Sequence, residues 1–329
     1  MGGRAWPLSA NVERTNGRRP GPCQSPRPPR PAVPPSGVSV VILAHRPGPC
    51  LAVTLGALLN SSLPPVEVVV VDNAGDDDAT AEAVRACAAA RIVRAPHNDG
   101  FGAGMNLGAS NLHLESAAIL FLTHECMLAP SAVAHLYASL CSSPSVGAVG
   151  PVLGRLSQAD TIWSAGGSFS KRRRRPLHLR ADEALPESLP TADVNVAWVD
   201  GAALLVRRSA FMEVGGFRED YFLYWEDVDL CHRLRTRGWQ VLVSSQALAW
   251  QEPSMASPYL DARNSLLFRR HCGAPRLPVV AIDQLLSIAE LLTARGVPFR
   301  HACRLVWARG VGVVHGLNGH LDRRLATHR

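Results

Sequence analysis

The run Val38-Ser39-Val40-Val41-Ile42-Leu43 constrains this chain more than any other stretch. It is rich in β-branched residues and lacks polar alternation, the pattern of a strand buried on both faces. A helical pattern follows at Leu51, Leu55, Leu58 and Leu59, and after Pro64-Pro65 comes a second such run, Val66 to Val71, closed by Asp72-Asn73. The alternation continues with a helix over 78–89, a strand at Arg91–Arg94, a helix over 101–114, a strand at Ala117–Leu122, a helix over 130–141 and a strand at Val146–Val149. Strands and helices alternating through short loops predict an α/β fold with a parallel sheet covered on both sides. Such sheets bind ligands at the carboxyl ends of their strands, where Asp72, Asn98 and Glu125 fall.

Residues 154–195 break the pattern and predict a polar, basic excursion over the surface. Apolar order returns at Val196–Val206, a last short strand is expected at Val241–Val243, and the chain beyond 257 reads as helical. The expected organisation is a disordered Pro/Arg-rich tail (1–36), an α/β domain (37–272) and a helical extension (273–329). The net charge of +7 is local: residues 1–36 carry six arginines against Glu13, and Lys171–Arg175 add five positive charges, leaving the rest slightly acidic. No basic face interleaved with aromatics is present, which argues against nucleic-acid binding. Eight cysteines stand singly, without zinc spacing, as in a reduced cytosolic chain. Neither an apolar leader nor a spanning run of about 18 apolar residues is evident.

Chemistry concentrates in Tyr221-Phe222-Leu223-Tyr224-Trp225-Glu226-Asp227-Val228-Asp229-Leu230. Aromatic residues run into three carboxylates that open a helix stopped at Gly238. Acids suit the positive end of a helix, and a carboxylate facing a water-poor pocket can also act as a general base. Asp72 and Asn73, at a strand end, can accept hydrogen bonds from a ribose or a base, or simply form a turn. Asn98-Asp99-Gly100-Phe101-Gly102-Ala103-Gly104-Met105-Asn106 opens a helix whose N–H groups could meet phosphate. It fails G-x-G-x-x-G, because Met105 or Leu107 stands at the last position, and it follows the third strand rather than the first, so a nicotinamide dehydrogenase is excluded. Glu125, in Thr123-His124-Glu125-Cys126, is an oxygen ligand suited to Mg²⁺ or Mn²⁺.

The order strand–Asp72, Asn98-x-Gly-Phe, strand–Glu125, Asp200-Gly201 and Trp225-Glu226-Asp227-Val228-Asp229 resembles the family-2 glycosyltransferases, inverting enzymes of the GT-A fold. Rhamnosyltransferase-like members that build bacterial surface glycans are the most similar branch. Further blocks carry the resemblance from about Val38 to Arg270: Val146-Gly147-Ala148-Val149-Gly150-Pro151, Val199–Arg208, Gly215-Gly216-Phe217 and Arg263-Asn264-Ser265-Leu266-Leu267. It implies a nucleotide-sugar donor across the strand ends, with Asp72 and Asn98 near the nucleoside, and a divalent cation (Mg²⁺ or Mn²⁺) near Glu125. It also implies Asp227 as the base that deprotonates an acceptor hydroxyl, Glu226 and Asp229 orienting that base or holding acceptor hydroxyls, Asp200 and Gly201 lining the sugar pocket, and Trp225 facing an acceptor ring. A glycan or lipid-linked acceptor at the inner membrane face is implied, and the arginine-flanked C-terminal helices allow either peripheral membrane association or packing on the domain. Two positions depart from relatives: Thr123-His124-Glu125 replaces Asn-Pro-Asp, and Gln251 stands where many carry a metal-binding His. They leave a second reading open, a degenerate partner subunit that binds glycan or nucleotide sugar without turnover.

Overall fold

The computed structural model describes residues 37–327 except 74–77, 114–115, 171–174, 254–256, 273–276 and 294–297, so the tail expected at 1–36 lies outside the described residues. The first half follows the alternation read above. β1 (Val38–Ala44) leads to α1 (Cys50–Leu59), β2 (Glu67–Asp72), α2 (Asp78–Arg85), β3 (Ala90–Arg94), α3 (Phe101–Ser110), β4 (Ala118–Thr123), a two-residue β5 (Met127–Leu128) and α4 (Ala132–Cys141). Every residue of β1 and β2 is buried. Their side chains divide by parity: Val41, Leu43, Val69 and Val71 enter one apolar cluster, and Val40, Ile42, Val68 and Val70 another. Successive strand side chains point to opposite faces, so a run apolar at every position needs cover on both sides.

The second half departs from expectation. β6 spans Val146–Arg155, continuing six residues beyond Val149. It is followed by the short strands β7 (Ile162–Ser164), β8 (Gly167–Phe169), β9 (Pro176–His178) and β10 (Val194–Asn195), then β11 (Ala203–Arg207), α5 (Arg208–Glu213), α6 (Glu226–Thr236) and β12 (Gln240–Gln251). The strand expected at Val241–Val243 is therefore only the start of a twelve-residue strand. β6 and β12 pair in parallel on either side of a register shift between Ser244 and Leu248. A bulge of this kind absorbs the polar Ser244-Ser245-Gln246 step and the missing N–H of Pro151, both of which read as strand ends in the sequence.

The main sheet runs β10-β12-β6-β11-β4-β1-β2-β3, with β5 on β12 and β7 on β6. It is parallel from β4 to β3 and between β6 and β12, while β11 lies antiparallel to both β4 and β6. Four helices follow among the described residues: α7 (Pro258–His271), α8 (Leu277–Thr293), α9 (Phe299–Asn318) and α10 (Arg323–Thr327). α9 lies against α7 so closely that a Cβ on Gly312 would stand 2.3 Å from the Tyr259 carbonyl oxygen. Charges tie these helices to one another and to the rest: Arg309 pairs with Asp261 and Arg269 with Asp283 among the helices, and Arg175 joins Asp261 from outside them.

Candidate active site

The seven residues before α6 set its entry. Phe222, Tyr224 and Trp225 all have left-handed backbones, with φ of 70°, 68° and 77°. Non-glycine residues avoid that region and occupy it where the surroundings enforce it. Here α7 enforces it: Asn264 Nδ2 donates to the carbonyls of Tyr221, Leu223 and Tyr224 at 3.0, 2.8 and 2.9 Å. From the other side the Phe101 N–H donates to the Phe222 carbonyl at 2.6 Å. Gly100, at φ 98°, permits this approach, since a Cβ there would lie 2.1 Å from the Phe222 oxygen. The glycine-rich segment and the Arg263-Asn264 pair thus hold the strained turn that aims α6.

The first turn of α6 faces a cleft of about 500 Å³ at the strand ends, whose lining includes Phe101, Glu125, Asp200, Gly201, Glu226 and Asp227. Asp227 is hemmed by protein yet reachable from the cleft. Its Oδ2 accepts from the Gly201 N–H at 2.9 Å and its Oδ1 from the Val228 N–H at 2.7 Å. Burial, with the negative charge of Asp200 nearby, raises its pKa to about 6 despite those two donors. Glu226 is buried, its Oε2 has no hydrogen-bond partner among the described residues, and burial beside Asp227 pushes its pKa up to about 8. The pair therefore holds a neutral acid next to a carboxylate that ionises below neutrality. Asp200 accepts from Ser164 Oγ at 2.5 Å and faces His178 Nδ1 at 3.5 Å. Trp225 lines the cleft and packs on Phe268, with ring centroids 5.5 Å apart, so it is at once wall and core.

Other expected site residues are placed elsewhere. Asp229 does not line the cleft; it is fully buried behind it, bound by Arg233 Nε at 2.6 Å, Arg218 Nη1 at 3.0 Å and the Tyr221 hydroxyl at 3.2 Å. Its expected contact with acceptor hydroxyls gives way to an ion-pair network, because two residues along a helix turn a side chain about 200°. Asp72 is buried at the end of β2. Asn98 Oδ1 accepts from Asn73 Nδ2 at 3.0 Å and from the Gly100 N–H at 3.1 Å, a local turn. Asn106 clamps the Gly215-Gly216-Phe217 turn, accepting from the Phe217 N–H and donating to the Phe217 carbonyl, both at 2.9 Å. Asn73 and Asn106 border a second depression of about 430 Å³ beside α3.

Residues 34–273 match the sequence family described as "Glycosyltransferase like family 2". The chain belongs to this family. An N-acetylglucosaminyl-diphospho-decaprenol L-rhamnosyltransferase of Mycobacterium tuberculosis is 29% identical over 220 residues, covering 61% of this chain and 71% of the relative. Rhamnosyltransferase WbbL of Escherichia coli strain K12 is 44% identical over 54 residues, 16% of this chain and 20% of its own length. Among solved structures, GalNAc-T7 with UDP, GalNAc and Mn²⁺ superposes with a TM-score of 0.61 at 14% identity, covering 86% of this chain and 56% of that one. The mannosyltransferase PcManGT from Pyrobaculum calidifontis, with GDP-Man and Mn²⁺, gives 0.53 at 18% identity, covering 86% and 87%. At those identities the two structures establish the fold, which is GT-A.

This glycosyltransferase builds part of its cleft from residues that sequence reading passed over. Trp163, Pro176 and His178 come from the segment read as a surface excursion, and Arg155 from the unforeseen end of β6. His178 packs on Trp163 at 4.5 Å and meets the edge of Trp198 at 4.9 Å, while the Arg155 guanidinium lies 4.9 Å from the Trp163 ring. Trp163, the one tryptophan in a segment otherwise polar and basic, was the signal that could have found them. The cation implied by the family has a sparse donor set here. Among the described residues no three His, Cys, Asp or Glu side chains gather to hold a metal. Glu125 stands in the cleft with its Oε1 accepting from Gln251 Nε2 at 3.1 Å. Mg²⁺ and Mn²⁺ can bind through one carboxylate when phosphate oxygens complete the shell, so the residues fit a cation held mainly by the donor.

Proposed function

We propose that this glycosyltransferase moves a hexose-type sugar from a nucleoside-diphosphate sugar to a hydroxyl of a lipid-linked or glycan acceptor, with inversion at the anomeric carbon. The observation that carries the reading is Asp227: a carboxylate at the cleft floor, oriented by two backbone N–H groups, with no arginine or lysine bonded to it among the described residues, and with proton affinity raised toward neutrality. The acceptor oxygen uses its electron pair to bond the anomeric carbon and yields its proton to Asp227. The bond from that carbon to the diphosphate oxygen breaks, and its electrons leave with the nucleoside diphosphate. One displacement from the opposite face inverts the centre.

Glu226 stays protonated at neutral pH, adds no charge to oppose ionisation of Asp227, and offers an O–H to an acceptor or donor oxygen. Asp200, fixed by Ser164 Oγ, and the Gly201 backbone border the transferred sugar. Glu125, with the carbonyl oxygen of Gln251, is the position for Mg²⁺ or Mn²⁺; when bound, the cation neutralises charge on the departing diphosphate. The mycobacterial relative's name supports a polyprenyl-diphosphate sugar as acceptor, hence a role in cell-surface polysaccharide assembly at the inner membrane face. Residues 37–272 then carry the chemistry and 273–329 the acceptor side.

The test is a panel of nucleoside-diphosphate sugars with Mg²⁺ or Mn²⁺, reading nucleoside diphosphate released in the presence and absence of lipid-linked acceptors. One donor should turn over, and Asp227→Asn should remove about 10²- to 10⁴-fold of that rate, the range of a general base. Glu125→Ala should raise the cation concentration needed for half-maximal rate. Equal rates in wild type and Asp227→Asn would remove Asp227 as base. The engagement of Glu125 by Gln251 favours a second reading, a partner subunit that binds donor without turnover. Calorimetric donor binding with silence across every acceptor would select it.

A further inference from the structure

Among the described residues thirteen large apolar side chains stand exposed, and six of them lie on the two long C-terminal helices: Leu285, Leu286 and Leu292 on α8, and Trp307, Val314 and Leu317 on α9. Trp307 is 60% exposed and Leu285 65%. On α9 the exposure is one-sided. Ala302, Arg309, Gly312 and Gly316 are buried, while Arg300, Arg304, Trp307 and Val314 are exposed. At about 100° per residue these last four fall within a single arc, with the arginines in the first turns and the apolar side chains beyond. Among the described residues no helix is long and apolar enough to cross a membrane. A face combining arginines with tryptophan and aliphatic side chains is the composition that seats a helix in the headgroup boundary of a bilayer. The tryptophan ring fits that boundary because one end is apolar and its N–H finds water or a headgroup.

The inner side of α9 explains why the location matters. Ala308 and Val311 pack in the apolar cluster of Phe222, Tyr259 and Leu260, to which Leu223 and Tyr224 also belong. Leu223 and Tyr224 in turn line the catalytic cleft. The helix bearing the basic and apolar face thus packs, through its other side, against the cleft wall.

We propose that the outer face of α9, centred on Arg300, Arg304, Trp307 and Val314, docks this glycosyltransferase onto an anionic lipid bilayer. The proposal rests on the lipid-linked acceptor reading above for its purpose, but not for its physical basis. Docking holds the cleft at the height of the headgroups, where an acceptor whose lipid tail stays in the bilayer can present its sugar hydroxyl.

The experiment is co-sedimentation of the full chain with phosphatidylcholine vesicles that contain or lack phosphatidylglycerol, in parallel with donor turnover measured without vesicles. The chain should sediment with the anionic vesicles and stay in solution with the neutral ones. Arg300→Gln with Arg304→Gln should weaken that partition roughly thirtyfold, about fivefold per arginine. Trp307→Ala should weaken it about tenfold, and neither variant should change donor turnover free of vesicles. Absence of binding by the wild-type chain would overturn the proposal. So would unchanged binding by both variants, which would assign the contact to the arginine-rich residues 1–36 or to another face. A dimer in light scattering that Trp307→Ala dissolves, without vesicle binding, would give the face to a second copy and likewise overturn it. Vesicle binding lost in the variants while no donor turns over would uphold the docking face and count against the transfer reading alone.

Discussion

Asp227 and Asp229 sit two residues apart on one helical turn, and both are enclosed by protein, yet their environments are opposite. Asp229 is met by two arginines and a tyrosine hydroxyl within 3.2 Å. Asp227 is met by two backbone N–H groups, with Asp200 as the negative neighbour that opposes its ionisation. Burial raises the energy of any charge, and the partner decides the outcome. A guanidinium returns most of that cost and makes the carboxylate a tie between elements: Arg218 precedes the strained turn, and Arg233 lies one helical turn on. Without one, the cost remains as affinity for a proton, which is what a base near neutrality needs. The same residue type at the same helix start thus becomes scaffold on one face and reagent on the other.

The contrast is tested most directly by exchanging the consequences of the two substitutions. Asp227→Asn should abolish most transfer without lowering thermal stability. Asp229→Asn should cost about 3 kcal/mol of stability, because it leaves two arginines facing a buried neutral amide, while the folded fraction keeps its turnover; urea unfolding followed by assay of the refolded chain measures both. If Asp229→Asn lost turnover at full stability, Asp229 would belong to the site after all. A smaller effect concerns the turn that leads into α6. Asn264→Ala should cost about 1–3 kcal/mol by leaving three carbonyls short of a donor, and should also lower turnover by loosening the aim of α6.

Proton linkage separates the acids of this helix start in a further way. The pKa of Asp227 is raised to about 6, so its base form dominates above that pH, and transfer should fall about tenfold per pH unit below it. Glu226 binds its proton more tightly folded than unfolded, with a folded pKa of about 8. It therefore contributes stability that is complete below its ordinary pKa of 4.5 and is lost as pH rises through about 8. Glu226→Gln should melt close to wild type at pH 5 and above it at pH 9, a gap that scanning calorimetry at the two values would reveal. A constant gap would mean that Glu226 is ionised throughout.

Much of this is legible in the sequence, for specific reasons. The buried runs at Val38–Leu43 and Val68–Val71 need cover on two faces regardless of the rest of the chain, and the structure gives them two clusters divided by parity, while Val66, read as the start of the second run, lies exposed before β2. The helix after Trp225 and its stop at Gly238 follow from apolar spacing and from glycine's tolerance of φ 86°. The division of labour between Asp227 and Asp229 was also within reach: Arg233 stands four residues after Asp229, the spacing of a helical ion pair, and nothing basic stands four after Asp227. The ends of β6 and β12 were not legible, because a bulge lets Pro151 and a serine pair sit inside paired strands, a matter of register between distant segments.

Taken by itself, the order of residues determined the parallel layering of the first half, the position of the acidic helix start and the family to which the chain belongs. These depend on local periodicity and on blocks of neighbouring residues. The tertiary structure alone decided that β9 delivers His178 beside Asp200, and that Asn264 holds a turn forty residues earlier in a left-handed backbone. Each of those is a contact between segments far apart in the chain, and the free energy of a buried charge or a strained turn is set by what surrounds it in space.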